Sequence, residues 1–190
     1  MATMARTHVR RTRDVTPPHL ARVWSARVFV GLTVTWLAML VMVPFAMAHE
    51  MGGRPATALS AGSYLVGGLI CHQRPERSFR LWGVQMPVCA RCAGVYGGAA
   101  LGAVVAGAWA SGRRRAGRMP RDSHRGLLGV ERASALRWVV VGAAVPTGVS
   151  VVMEALGIVE GSTVVRAVGA IPLGAAVTWV VSLVIRGELA

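Results

Sequence analysis

The residues with chemistry to offer are gathered in one stretch, CHQRPERSFRLWGVQMPVCARC, which places Cys71, His72, Cys89 and Cys92, and so every cysteine of the chain, within 22 residues. Zinc prefers thiolate and imidazole ligands, and two cysteines separated by two residues can turn around one ion at zinc–sulfur distances of ~2.3 Å. Cys71, Cys89 and Cys92 with His72 thus offer a Cys3His set. Adjacent residues usually point apart, so His49 or Glu50 is an alternative to His72 as the fourth ligand. Four protein ligands would make the site structural. Three, with an open fourth position, would leave room for a metal-bound water and hydrolytic chemistry. The same spacing suits a redox dithiol. Cys89 and Cys92 lie where an apolar run begins, so the positive end of a helix and the neighbouring Arg91 favour thiolate, with Cys71 as a resolving third thiol. A disulfide that merely staples the loop is the plainest reading of the three.

These groups must be positioned by membrane helices. A chain of 190 residues that is 54 % hydrophobic, with mean hydropathy +0.52, has too much apolar surface for one small soluble core. Its net charge of +13 is segregated from four apolar runs, 28–48, 93–110, 136–158 and 164–185, each close to the ~20 residues that cross the hydrocarbon. The expected fold is an all-α integral membrane protein of four transmembrane helices, with the Cys/His loop at 49–92. Within that loop Ala56–Cys71 is apolar but only 16 residues long, which suits a re-entrant or interfacial segment.

Arginines crowd the N-terminal tail 1–27 and the loop 111–135, and the positive-inside bias puts both in the cytoplasm. Both termini are then cytoplasmic and the Cys/His loop faces out of a multi-pass protein of the inner (plasma) membrane. Were Ala56–Cys71 to cross, the loop would turn inward and the largest basic loop outward. The basic residues are all arginine, scattered through Ala-, Gly- and Val-rich sequence, which argues against a nucleic-acid partner; the partner is the lipid bilayer.

Gly94, Gly98 and Gly102 recur every four residues and leave one helix face bare for close helix association, within one chain or between chains as a homo-oligomer. Gly142, Pro146 and Gly148 with Gly169, Pro172 and Gly174 suggest that the third and fourth spans are kinked and closely packed together. Met39, Met42, Met47 and Met51 follow no single helical face and read as packing rather than as a cuprous site. Glu154 and Arg166, near the outer ends of the last two spans, can pair beneath the loop, as site wall or as interfacial anchors. Arg74, Glu76, Arg77 and Arg80 are either a solvated face or a group that supports the ligands, with Glu76 orienting His72 and the arginines meeting an anionic substrate or headgroup. Tyr96, one turn below Cys92, can reach a ligand or a quinone-like partner.

The order Cys71-His72-Gln73, Pro75-Glu76-Arg77-Ser78-Phe79, Gly83 and Pro87-x-Cys89-x-Arg91-Cys92-x-Gly94-x-Tyr96-x-Gly98 resembles the signature of an uncharacterised prokaryotic family of polytopic membrane proteins, a domain of unknown function. A looser second stretch, with Pro146, Gly157, Ser162, Arg166 and Gly169, extends the likeness into the last two spans. There the family tends to carry Asp and Gln where this chain has Ser150 and Glu154. The resemblance implies a polytopic membrane protein with a special Cys/His loop, in which Ser78 joins the candidates above, and it brings no established activity. In plan the chain is also similar to small four-helix, quinone-linked disulfide-forming proteins, which usually carry two cysteine pairs where this one has three cysteines. With no catalytic triad, carboxylate pair or cofactor motif, a non-catalytic scaffold or subunit is the third reading.

Overall fold

The computed structural model describes residues 18–51, 53–115, 127–158 and 161–187. The tail ahead of residue 18, with most of its arginines, and the segment 116–126 lie outside the described residues. Five helices are described: α1 (Pro18–Ala48), α2 (Arg54–Ile70), α3 (Ala90–Arg115), α4 (Leu127–Ala155) and α5 (Thr163–Arg186). Between α2 and α3 a 3-10 turn, Pro75–Arg77, leads into a hairpin of β1 (Ser78–Leu81) and β2 (Val84–Cys89). Among the described residues, α1, α3, α4 and α5 are long and apolar enough to cross a membrane. The protein is a multi-pass, mostly helical membrane protein with a small hairpin set into one end.

The helices are longer than their apolar runs. α1 begins ten residues before 28, α3 continues through Arg115 and α4 starts at Leu127, so much of the expected basic loop 111–135 is helical. Arginine is a good helix former, so a helix can run past the hydrocarbon into water without a change of backbone. At the other end α4 stops at Ala155, short of 158, and Gly157 takes a left-handed conformation (φ +69°).

α3 packs most closely on α5, and the glycine stripe is the reason. A Cβ at Gly94, Gly98 or Gly102 would lie 2.1, 2.1 or 2.5 Å from the carbonyl oxygens of Ala167, Ile171 and Ala175, and Gly174 of α5 meets the Val95 carbonyl in return. The backbones touch because neither face carries side chains there. The α3 stripe is therefore filled within the chain. The expected partner of α5 was α4, but Gly142 and Gly148 face open space, and α4 is joined to α5 more lightly, with Thr147 Oγ1 donating to the Gly169 carbonyl at 2.8 Å.

The hairpin turns on Trp82 and Gly83, both at positive φ, which matches the right-handed twist of a two-residue connection. It pairs Arg80 with Gln85 and Leu81 with Val84. Met86 and Val88 of β2 are buried with Leu40 of α1, against Trp36 of α1 and Cys92, Ala93 and Tyr96 of α3. Leu40 lies eight residues before the end of α1, ~12 Å along the axis, so β2 reaches down into the bundle. At the hairpin tip Trp82 meets Phe45 edge to face, with ring centroids 5.1 Å apart.

Candidate metal centre

Two backbone junctions bring the cysteines together. Cys71 is the extended residue that ends α2, its N–H still bonded to the Gly67 carbonyl. Cys89 ends β2, and Cys92 lies in the first turn of α3. The three sulfur atoms lie within 4.8 Å of one another, and all three are free thiols. Sulfurs around a tetrahedral zinc stand ~3.8 Å apart, as ~2.3 Å bonds require, so a small contraction would bring these three onto one ion. The donor set is thus soft, mutually close and drawn from separate elements.

The electrostatics favour thiolate at the strand–helix junction. The Cys89 thiol is held down to about 5, chiefly because the Cys92 thiol donates a hydrogen bond to it. The Cys92 N–H, the Cys71 thiol and the Arg91 N–H add to this, against the opposing effect of burial. The Cys89 N–H in turn donates to Cys71 Sγ at 3.2 Å.

A polar lattice holds the two junctions in register. Gln73, at φ +46°, donates through Nε2 to the carbonyls of Tyr64 in α2 (2.8 Å) and Pro87 in β2 (2.6 Å). Its own carbonyl accepts from Gln85 Nε2 at 2.8 Å, and the Tyr64 hydroxyl donates to the Gln85 carbonyl. Burial pushes the Tyr64 phenol up, which keeps it a donor. Gly67 allows this approach, since a Cβ there would lie 2.2 Å from the Pro87 oxygen.

A cavity of about 340 Å³ opens beside the sulfurs, lined by Ile70, Cys71, His72, Gln73, Arg74, Arg77, Cys89, Arg91, Cys92 and Arg166. His72 is exposed on its wall but is not among the donors clustered with the three sulfurs. His49 and Glu50 are not among them either; the His49 ring lies over Phe45, with Nδ1 2.9 Å from the Phe45 carbonyl. Ser78 is buried and donates to the Arg74 carbonyl at 2.9 Å, so it shapes the turn. Glu76 is exposed, with no side-chain hydrogen bond to His72 among the described residues. Tyr96 does not line the cavity; its ring meets Trp36 edge to face, centroid to centroid 5.8 Å.

Glu154 and Arg166 do pair, Arg166 Nε donating to Glu154 Oε1 at 3.0 Å. Arg91 Nη2 lies 2.8 Å from the same oxygen, though off hydrogen-bond geometry, so one carboxylate ties the start of α3 to α4 and α5. Spacing alone pointed to Arg91 as a neighbour of the thiols and missed this link. Gly161 leaves the room for Glu154, whose Oε1 would be 2.3 Å from a Cβ there. Gln73 was missed as a scaffold because an isolated amide carries no periodic signal; its place directly after the Cys-His pair was the available clue.

Two curated relatives match short stretches of the chain. Uncharacterized protein MJ1492 of Methanocaldococcus jannaschii is 52 % identical over 42 residues, 22 % of this chain and 27 % of the relative. An uncharacterized protein of Methanothermobacter thermautotrophicus is 57 % identical over 30 residues, 16 % of this chain and 27 % of the relative. The matches span about a quarter of either relative's length. No solved structure matches the chain. The wider likeness begins at Cys71, runs through the hairpin and takes in α3, α4 and most of α5. Over residues 71–180 the chain thus belongs to the family described as predicted membrane protein (DUF2085).

Proposed function

We propose that Cys71, Cys89 and Cys92 bind one divalent metal ion, zinc by the softness of the donors, at the outer membrane–water interface, with the fourth position open toward the cavity. The observation that carries this reading is the approach of three thiol sulfurs to within 4.8 Å of one another from two separate junctions. Three thiolates and an open position would let the ion polarise a ligand from the cavity or hold a water for hydrolysis. His72, on the cavity wall, is the candidate for a fourth ligand, and its binding would close the position and make the site structural. The reaction, if the position is open, is set by what enters.

The sidedness follows from the arginines. Arg22, Arg113 and Arg186 mark the end of the bundle opposite the cysteines, and in sequence the segments 1–17 and 116–126 carry further arginines. The positive-inside bias assigns it to the cytoplasm, with both termini, in the inner (plasma) membrane.

A second reading is favoured by the depressed Cys89 thiol, held at about 5 beside Cys92. A thiol–disulfide oxidoreductase would use Cys89 and Cys92 as its dithiol, Cys71 as an exchanging thiol and a membrane quinone as oxidant. Elemental mass spectrometry with a free-thiol count, on detergent-purified protein never exposed to chelator or metal resin, separates the two. Near one zinc per chain with three free thiols supports the metal centre. No metal, with two of three thiols oxidised, sinks it in favour of disulfide exchange, to be followed by a quinone-reduction assay. Cys89→Ser should release the metal under the first reading and trap a mixed disulfide through Cys92 under the second.

A further inference from the structure

We infer that the cavity beside the thiols is a phosphate site, built to hold a tetrahedral phosphate group, free or carried on a lipid headgroup, between the arginines and the open metal position. Four arginines, Arg74, Arg77, Arg91 and Arg166, are among the residues that line a space of about 340 Å³. One carboxylate, Glu154, answers two of them, and does so through a single oxygen, Oε1. Arg74 and Arg77 have no carboxylate partner among the described residues. Arg91 spends Nη2 on Glu154 Oε1 at 2.8 Å but keeps its buried Nε without a hydrogen-bond acceptor, although its side chain is only 21 % exposed. Buried charged donors left without acceptors are costly, and an anion in the adjoining cavity supplies them.

The shape of the charge selects the ligand. Guanidinium forks match the paired oxygens of carboxylates and phosphates. These forks come from the loop before β1, the first turn of α3 and the first turn of α5, so they converge from several directions. A flat carboxylate can satisfy one or two such forks, whereas the oxygens of a phosphate point to several at once. The volume is at the small end for ligand pockets, which fits a phosphate with a modest substituent. Ile70, 54 % exposed at the end of α2, gives the mouth an apolar side where a lipid tail could leave.

The inference deepens the metal reading, since a phosphate oxygen would take the fourth coordination position, yet the arginines recognise the group with or without the ion. The test uses the full chain in detergent, zinc-loaded and chelator-stripped, titrated with inorganic phosphate by calorimetry. In parallel, native mass spectrometry from phosphatidylcholine nanodiscs with and without phosphatidic acid reads the lipid form. The Arg74→Gln/Arg77→Gln variant should weaken binding about tenfold or more, the usual scale for charged hydrogen bonds, with zinc content unchanged. Both residues are exposed, so this variant keeps the fold. Saturable, arginine-dependent binding of inorganic phosphate supports the site and names the free ion as its ligand. Arginine-dependent retention of phosphatidic acid alone supports it and names the headgroup. Binding of neither probe, or binding that the double variant leaves intact, overturns it. Protein that takes up no zinc yet binds phosphate through these arginines sinks the metal reading alone, and zinc-loaded protein that binds neither probe sinks this inference alone.

Discussion

Gly67→Ala gives the sharpest test of how the fold builds the centre. The new Cβ would lie 2.2 Å from the Pro87 carbonyl oxygen and 2.7 Å from Gln73 Nε2. Ordinary carbon–oxygen contacts begin at ~3.3 Å, so α2 and β2 must part by about 1 Å. Pro87 is two residues from Cys89 and Gly67 four from Cys71, and the parting therefore falls between the ligands. Metal–ligand distances tolerate only ~0.2 Å, and the Gln73 bonds to Tyr64 and Pro87 are strained by the same movement. Disturbing the groups that orient metal ligands typically costs 10–100-fold in affinity, and about that loss is expected for zinc, measured by competition with a chromophoric chelator. The neighbouring position supplies the control. A Cβ at Gly68 meets only the Gln73 carboxamide at 3.7–3.9 Å, an ordinary contact, so Gly68→Ala should bind zinc as the parent does. Wild-type affinity in Gly67→Ala, or an equal loss in Gly68→Ala, would refute the reasoning.

Three further outcomes are expected. Glu154→Ala strips two mostly buried guanidiniums of their shared carboxylate and should destabilise the cysteine end of the bundle by about 3–5 kcal/mol, with Glu154→Gln losing less, read from thermal unfolding in detergent. In metal-free protein, alkylation of Cys89 should stay fast as pH is lowered and fall only near pH 5, because its thiol is held below the ordinary value of 9.0; an unperturbed thiol would slow already below pH 9, and peptide mapping distinguishes the two profiles. Gly98→Val places branched carbon against the Ile171 carbonyl, now 2.1 Å from where a Cβ would start, and should force α3 from α5, lowering the unfolding temperature far more than Gly97→Val, where the space is open.

Hydropathy made the four spans legible because each apolar run must cross a fixed thickness of hydrocarbon, and the cysteine spacing made the sulfur cluster legible because coordination needs ligands at short reach. Neither signal speaks to pairing. The partnership of α3 with α5 rests on which helix offers bare backbone to Gly94, Gly98 and Gly102, a matter of shape that hydrophobicity does not encode. The hairpin escaped notice for local reasons. Its turn is Trp82–Gly83 rather than an Asn-Gly or Asp-Gly pair, its strands are four and six residues long, and Pro87 argues against a strand unless the strand lies at an edge, as β2 does in a two-stranded sheet. His72 offered a fourth donor for a Cys3His set even though adjacent residues usually point apart; Cys71 takes the extended conformation that ends α2 and Gln73 the left-handed one, a backbone path that sequence could not supply.

The α3–α5 contact also bears on how the protein is made. Helices enter the membrane in chain order, and α3 does so with a bare, carbonyl-facing groove along Gly94, Gly98 and Gly102 that lipid tails fill poorly. Its proper neighbour, α5, emerges only after α4, which comes between them in the chain and lies to one side with its apolar surface to lipid. Until α5 arrives, the first turn of α3 lacks Arg166, and Arg91 and Glu154 lack the third member that completes their cluster. The wall of the thiol pocket therefore waits on α5 as well as on the elements that carry the cysteines. A nascent protein halted after α4 would carry all three cysteines yet lack the part of the wall that Arg166 supplies, so maturation of the centre belongs after α5 has inserted.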